Sequence, residues 1–374
     1  MRKQIELIRV FSIPIKLDLS WFIIVAFISW TLASGYFPIK YPELDKSVCW
    51  IMGFISAVLL FVCVLLHELS HSLIAKKNNI PIKGITLFVF GGVAEMTEEP
   101  RTASSEIKMA VAGPICSGAL AIFFFFIGNF FIKYLPILPV IGILKYCTFI
   151  NLALMIFNLL PGFPLDGGRI LRAVIWNYTG NIKKATYTTS KIGSSLGIFL
   201  IIFGFFNIFT GNIIGGLWFA FIGLFLKGAA EAGYQQLLAG KLLHGIKISE
   251  IMTRDVITIE DSITLDKLVD DYFLKYRYNS YPVVSNGILI GMVSIHDVKQ
   301  IPREEWSKAN VRRIFDSKVI DLCMNPNDDA TSAMAKMAKR GLGRIPVVDN
   351  GKLVGIVSHR DIMQIIKHKI DLSM

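Results

Sequence analysis

Apolar residues run through the first two-thirds of the chain in blocks long enough to cross a bilayer, whereas the last third turns to short alternating stretches. About 20 predominantly apolar residues span the hydrocarbon layer. Six windows approach or exceed that length: 19–37, 49–75, 109–132, 146–164, 192–209 and 213–230. Two weaker patterns lie between and before them. The stretch 80–96 alternates in part and carries Gly84 and the pair Gly91-Gly92, which predicts a hairpin turning at glycines. Apolar runs within 5–17 predict strands at the cytoplasmic surface. After about Ala230 hydropathy falls, and from Ile248 onward the chain has the charge and turn content of a soluble domain. The fold class predicted is a polytopic α-helical membrane protein of about six transmembrane helices, 1–232. A linker, 233–247, leads to a soluble α/β part, 248–374.

Composition strengthens the membrane reading. Of 374 residues 53% are hydrophobic and only 18% charged, too apolar for an ordinary soluble domain. The net charge of +11 would fit a nucleic-acid partner, but the positions of the charges argue against one. Lys76, Lys77, Lys83, Arg101 and Lys108 lie between windows two and three, and Arg169, Arg172, Lys183, Lys184 and Lys191 between windows four and five. By the positive-inside rule these connections and both termini face the cytoplasm of a multi-pass cell-membrane protein. The first window has no A-x-A cleavage pattern after it, so it reads as retained rather than as a signal peptide. The five cysteines are scattered without a C-x-x-C pair, which points to neither a disulfide scaffold nor a thiolate cage. Cys63 alone shares a helical face with a candidate ligand, His67, and a buried apolar neighbour is the better reading of it.

The chemistry-bearing motif is His67-Glu68-Leu69-Ser70-His71, at the end of the second window. Two histidines four apart on a helix share one face and can grip one Zn²⁺, with Glu68 beside them as a general base. Ionisable residues at membrane depth are costly and mark function by default. A hydrolytic zinc needs a third protein ligand and one open position for water. All four other histidines fall in or beside the soluble part, so a carboxylate is the better candidate. Asp166 closes the fourth window and is the only acidic residue between Glu106 and Glu231. Windows two and four descend in the same direction, so His67, His71 and Asp166 can meet at one face. Pro161 and Pro164 would leave irregular backbone there, tolerable where it lines a cavity, and Gly167-Gly168 would permit a tight turn directly afterwards. The competing reading makes Asp166 an interfacial residue paired to Arg169.

The soluble part repeats itself. Residues 280–297 align without a gap to 344–361, matching Pro282 to Pro346, Gly291 to Gly355, Ser294 to Ser358 and Asp297 to Asp361. Each unit reads as a helix (266–275; 330–340), a strand, an Asn-Gly hairpin turn, a strand and a closing helix. The pattern resembles a tandem pair of CBS domains. That resemblance implies binding of an adenine nucleotide (ATP, ADP or AMP) through Ser294 and Asp297, and through Ser358 and Asp361, and association with a second pair in a homodimer. On the residues alone, Asp297 and Asp361 could simply start the last helix of each unit, where acidic groups suit the dipole.

The H-E-x-x-H helix, the later element Asn158-Leu-Leu-Pro-Gly-Phe-Pro-Leu-Asp166-Gly-Gly and six spans together resemble the site-2 protease family of intramembrane zinc metalloproteases, in its CBS-bearing branch. The resemblance implies one zinc per chain on His67, His71 and Asp166, Glu68 as base, and Asn158 beside the scissile carbonyl. It also implies a membrane-protein substrate cleaved in or next to a transmembrane segment, and a membrane-associated β-hairpin at 80–96 whose edge could pair with an unwound substrate. One departure is visible: the family often reads A-G-P-x-x-N in the third span, and here Ala112-Gly113-Pro114-Ile115-Cys116-Ser117 ends in serine. Two other classes share parts of the pattern. A CBS-gated transporter would use the His and Asp residues as an ion path, and an inactive scaffold would only sense nucleotide.

Overall fold

A computed structural model describes residues 4–96, 100–340 and 342–372. The chain divides into two compact units, residues 1–236 and 237–374.

In the first unit strands β1 (Gln4–Val10) and β2 (Ile13–Asp18) lead into helix α1 (Leu19–Lys40), followed by α2 (Lys46–Lys77), β3 (Ile82–Phe88), β4 (Gly91–Met96) and α3 (Ala103–Tyr134). Helices α4 (Leu138–Asn158), α5 (Asp166–Thr179), α6 (Ile182–Phe209) and α7 (Ile213–Leu243) as far as Gln236 complete it. Among the described residues six helices are long and apolar enough to cross a membrane. They overrun the hydropathy windows because their charged ends, such as Lys76 and Lys77 on α2, continue the helix past the apolar core. Large side chains such as Ile23, Phe126 and Phe206 stay exposed on them, as a lipid-facing surface requires.

The four strands form one sheet in the order β1-β2-β3-β4. β2 and β3 pair in parallel, with Ile15 opposite Ile85. The two spans α1 and α2 lie between them in sequence, so pairing is possible only if the first runs out and the second returns to the same face. Asp18 fastens the sheet to α1 by accepting from the Ser20 N–H. The hairpin of 80–96 turns at Val89-Phe90, not at glycine: Gly91 and Gly92 begin β4, and Gly84 sits inside β3, where a Cβ would press on the Pro14 carbonyl of β2.

Asp166 does not close the fourth span. That helix ends at Asn158, residues 159–165 are irregular, and Asp166 opens the separate helix α5. Pro161 and Pro164 stop the helix while the apolar pattern continues. A buried backbone group left unpaired costs roughly 1–3 kcal/mol, and the Phe163 N–H avoids this by donating to the Thr189 carbonyl of α6. Gly167 and Gly168 lie in the first turn of α5 rather than in a turn after it. A Cβ at either would strike the backbone of Leu159–Phe163, which folds directly over this turn.

The second unit holds two similar layers, each with its own core. One centres on Ile259, Leu265, Tyr281 and Val293, the other on Leu243, Ile345, Val347 and Ile362. Strands β6 (Ser280–Ser285) and β7 (Ile288–Ser294) follow a two-residue strand β5 (Ile259–Glu260), and β8 (Arg344–Asp349) pairs with β9 (Lys352–Ser358). Asn286-Gly287 and Asn350-Gly351 turn with positive φ at both positions, as a two-residue hairpin requires. The repeats differ at their ends. The second closes with helix His359–Leu372, whereas the first has a single turn, Ile295–Val298, a few residues before Pro302. The stretch 233–247 is helical as far as Leu243.

Candidate metal centre

Helix α2 carries His67 and His71 on its buried face, one turn apart. Their Nε2 atoms lie 3.1 Å from each other and each lies 3.1 Å from Oδ2 of Asp166. All three residues are buried. Three donors at such spacing come within a few tenths of an ångström of the edge of a tetrahedron around an ion with bonds of about 2.0–2.1 Å, the geometry of zinc with His and carboxylate ligands. The residues present therefore fit the metal. No ion pair joins Asp166 to Arg169 among the described residues.

The far sides of the rings are held as well. His71 Nδ1 lies 2.7 Å from the Met109 carbonyl of α3. A carbonyl can only accept, so Nδ1 carries the hydrogen and Nε2 presents its lone pair to the centre. His67 Nδ1 is 2.8 Å from Ser117 Oγ, which is fully buried. The serine that departs from the family pattern thus orients a histidine. Partners of this kind fix the tautomer and ring angle of metal-bound imidazoles. Between Met109 and Ser117, Gly113 brings the backbone of α3 against Nε2 of both rings, where any Cβ would collide. Pro114 follows it inside the helix. Cys63 is buried but outside this cluster, with its sulfur 3.2 Å from Nδ2 of Asn151.

The centre opens into a chamber of about 560 Å³ in which Glu68, Asn158 and Arg169 also stand. Strand β4 forms one wall: Gly92 lies so close over Glu68 that a Cβ there would come within 2.6 Å of its Cγ. The turn of this hairpin is fastened on two sides. The Val89 N–H donates to Ser20 Oγ at 3.2 Å, and the Phe90 ring stacks on Phe225 of α7 with centroids 3.9 Å apart. Most of the remaining wall is apolar, including Ile24, Ile28, Leu154, Trp218 and Ile222.

In the second unit Ser294 and Asp297 bond to each other, and so do Ser358 and Asp361. Each carboxylate accepts from its serine hydroxyl and backbone N–H, at 2.6 and 2.8 Å in the first repeat and 2.7 and 2.8 Å in the second. Both pairs therefore start helices, the role open to them on the residues alone.

Comparison with known proteins extends both halves. The model of "Peptidase family M50" matches residues 55–138 and 134–204, and that of "CBS domain" matches 248–304 and 311–368. A zinc metalloprotease of Methanocaldococcus jannaschii is 32% identical over 97% of this chain and 96% of its own length. A relative in Synechocystis sp. is 30% identical over 97% of this chain and 96% of its own. Among solved structures, a site-2 protease from Methanocaldococcus jannaschii is 32% identical, covering 62% of this chain and 94% of its own, with a TM-score of 0.44.

Proposed function

The chain belongs to peptidase family M50, the site-2 protease family of membrane zinc metalloproteases, in a form that carries a CBS pair, and from that membership we propose that it is an intramembrane endopeptidase. Its substrates are membrane proteins, cut within or beside a transmembrane segment. The observation that carries this reading is the buried donor triad opening into an apolar chamber with Glu68 on its wall.

His67, His71 and Asp166 would hold the zinc, which when bound supplies a Lewis acid and an acidified water. Glu68 takes the proton from the attacking water and returns it to the leaving amine. Asn158 donates from its amide to the carbonyl oxygen as negative charge develops there. A helical substrate hides its carbonyls in i to i−4 bonds, so the segment must be extended when cut. β4 is an edge of its sheet and pairs backbone to backbone with the unwound segment. The basic connections set both termini and the centre toward the cytoplasm. Purified protein should cut a single-span substrate into two fragments. Cleavage should stop with a zinc chelator and return with added zinc; persistence in excess chelator would sink the metal role.

In this proposal 1–232 is the protease, 233–247 the connection and 248–374 the regulator. The CBS pair binds adenine nucleotide through Ser294, Asp297, Ser358 and Asp361, pairs with a second copy, and couples nucleotide level to proteolysis. Titration calorimetry of the full chain with ATP, ADP and AMP should give saturable heat with at least one of them. Absence of heat with all three would reduce the pair to an interaction module.

A further inference from the structure

The first unit buries an ion pair for which peptide hydrolysis has no use. Glu106, in the first turn of α3, is fully buried, and Arg172, in the second turn of α5, is almost so. Nε of Arg172 donates to Oε1 of Glu106 at 2.7 Å, and Nη2 donates to the same oxygen. The guanidinium also lies over the Phe163 ring, 5.4 Å from its centroid. Neither residue is among those lining the chamber. Glu106 Oε2 has no partner among the described residues. Two charges withdrawn from water gain little net stability over an apolar pair of the same size, so their placement calls for another explanation.

That placement joins the two elements on which the third ligand depends. Three residues after Glu106 stands Met109, whose carbonyl holds His71, and farther along the same helix come Gly113 and Ser117. Six residues before Arg172, under two turns of helix, stands Asp166. Helix α5 has only 14 residues, and its N-terminus emerges from the irregular stretch 159–165, which is tied to α6 through the Phe163 N–H but among the described residues carries no such bond to α3, the helix that holds both histidine rings. Two guanidinium donors on one Glu106 oxygen tie α5 to α3 six residues past Asp166, and the Phe163 ring ties the irregular stretch to the same guanidinium.

We infer that Glu106 and Arg172 are positioning residues of the metal centre: their ion pair sets Asp166 against His67 and His71, so that metal affinity and ligand geometry depend on it. The inference rests on the proposed ligand set, and the experiment separates failure of one from failure of the other. Zinc affinity is measured by chelator competition on the full-length protein in detergent, and ligand geometry from the visible absorption of the Co²⁺-substituted form. Variants are Arg172→Met, Glu106→Gln, Arg172→Lys and the apolar double variant Glu106→Leu/Arg172→Met, with His67→Ala as the ligand control.

Single loss of either partner should weaken zinc binding by about 10–100-fold and shift the Co²⁺ bands, with Lys at 172 recovering part of both. The double variant removes the unpaired buried charge, so it should regain thermal stability yet keep the weak affinity and shifted bands. Should the single variants not fold, the double variant carries the test alone. Parent-like affinity and bands in the double variant would overturn the inference, whatever happens to its melting temperature. An undiminished affinity in His67→Ala would instead overturn the ligand set itself.

Discussion

Replacing Glu68 with Gln should leave one zinc per chain and lower the cleavage rate by about 10²–10⁴-fold, the usual contribution of general acid–base catalysis. Gln has nearly the same shape as Glu, and the site leaves its replacement little freedom. Gly92 of β4 presses on the Cγ of residue 68 from one side, and α2 carries that residue next to His67 on the other. The amide therefore occupies the place of the carboxylate, and only the proton acceptor is lost. The three donors remain 3.1 Å apart because none of them depends on residue 68 for its orientation: His71 leans on Met109, His67 on Ser117. Loss should fall on kcat rather than on KM, since the substitution leaves the backbone of β4, the proposed substrate-pairing edge, unchanged. The check is metal analysis beside fragment yield from a single-span substrate, using matched amounts of purified parent and variant. A variant that cuts at the parental rate with its zinc in place would remove Glu68 from the reaction.

How far the molecule could be read in advance depended on the range of the interaction concerned. Span positions follow from local hydropathy, and five of the six windows lie wholly within the observed helices. The exception, 146–164, shows the limit. Leu159, Leu160, Phe163 and Leu165 keep the stretch apolar, but Pro161 and Pro164 deny it helical hydrogen bonds, so hydropathy and helix part company after Asn158. The two histidines and their glutamate were legible because a helix brings i and i+4 together. Asp166 was reached by elimination, and Asn158 only through resemblance. Ser117 stood out only as a departure from A-G-P-x-x-N, and Met109 carried no signal: the serine's role and that of a backbone carbonyl become clear only once the rotation of α3 is known. Arg172 and Glu106 stood in connections whose charges read as topology, and their pairing across 66 positions was invisible. The turn falls at Val89-Phe90 rather than at the glycines because Gly92 serves instead for its close approach to Glu68.

Gly113→Ala is expected to do the opposite of Glu68→Gln and empty the centre. A Cβ at this position points at Nε2 of both His67 and His71, the atoms whose lone pairs meet the metal. Contact this close is relieved cheaply only when the neighbour is the free end of a flexible side chain. Neither ring is free, since His71 Nδ1 is tied to the Met109 carbonyl at 2.7 Å and His67 Nδ1 to Ser117 at 2.8 Å, both from α3 itself. Moving α3 away would break those bonds, and rotating either ring would turn its Nε2 from Asp166. Losing a hydrogen-bond partner that orients a metal ligand typically costs 10–100-fold in metal affinity. A methyl group placed against the donor atoms should therefore cost at least about 100-fold, while Ser117→Ala, which only frees one ring, should cost roughly 10-fold. Helix content should be unchanged, because Ala favours a helix interior over Gly by about 1 kcal/mol. The measurement is zinc per chain after dialysis against a weak chelator, with circular dichroism as the control for folding. A folded Gly113→Ala protein that keeps one tightly bound zinc would mean that the ion does not sit between these two rings.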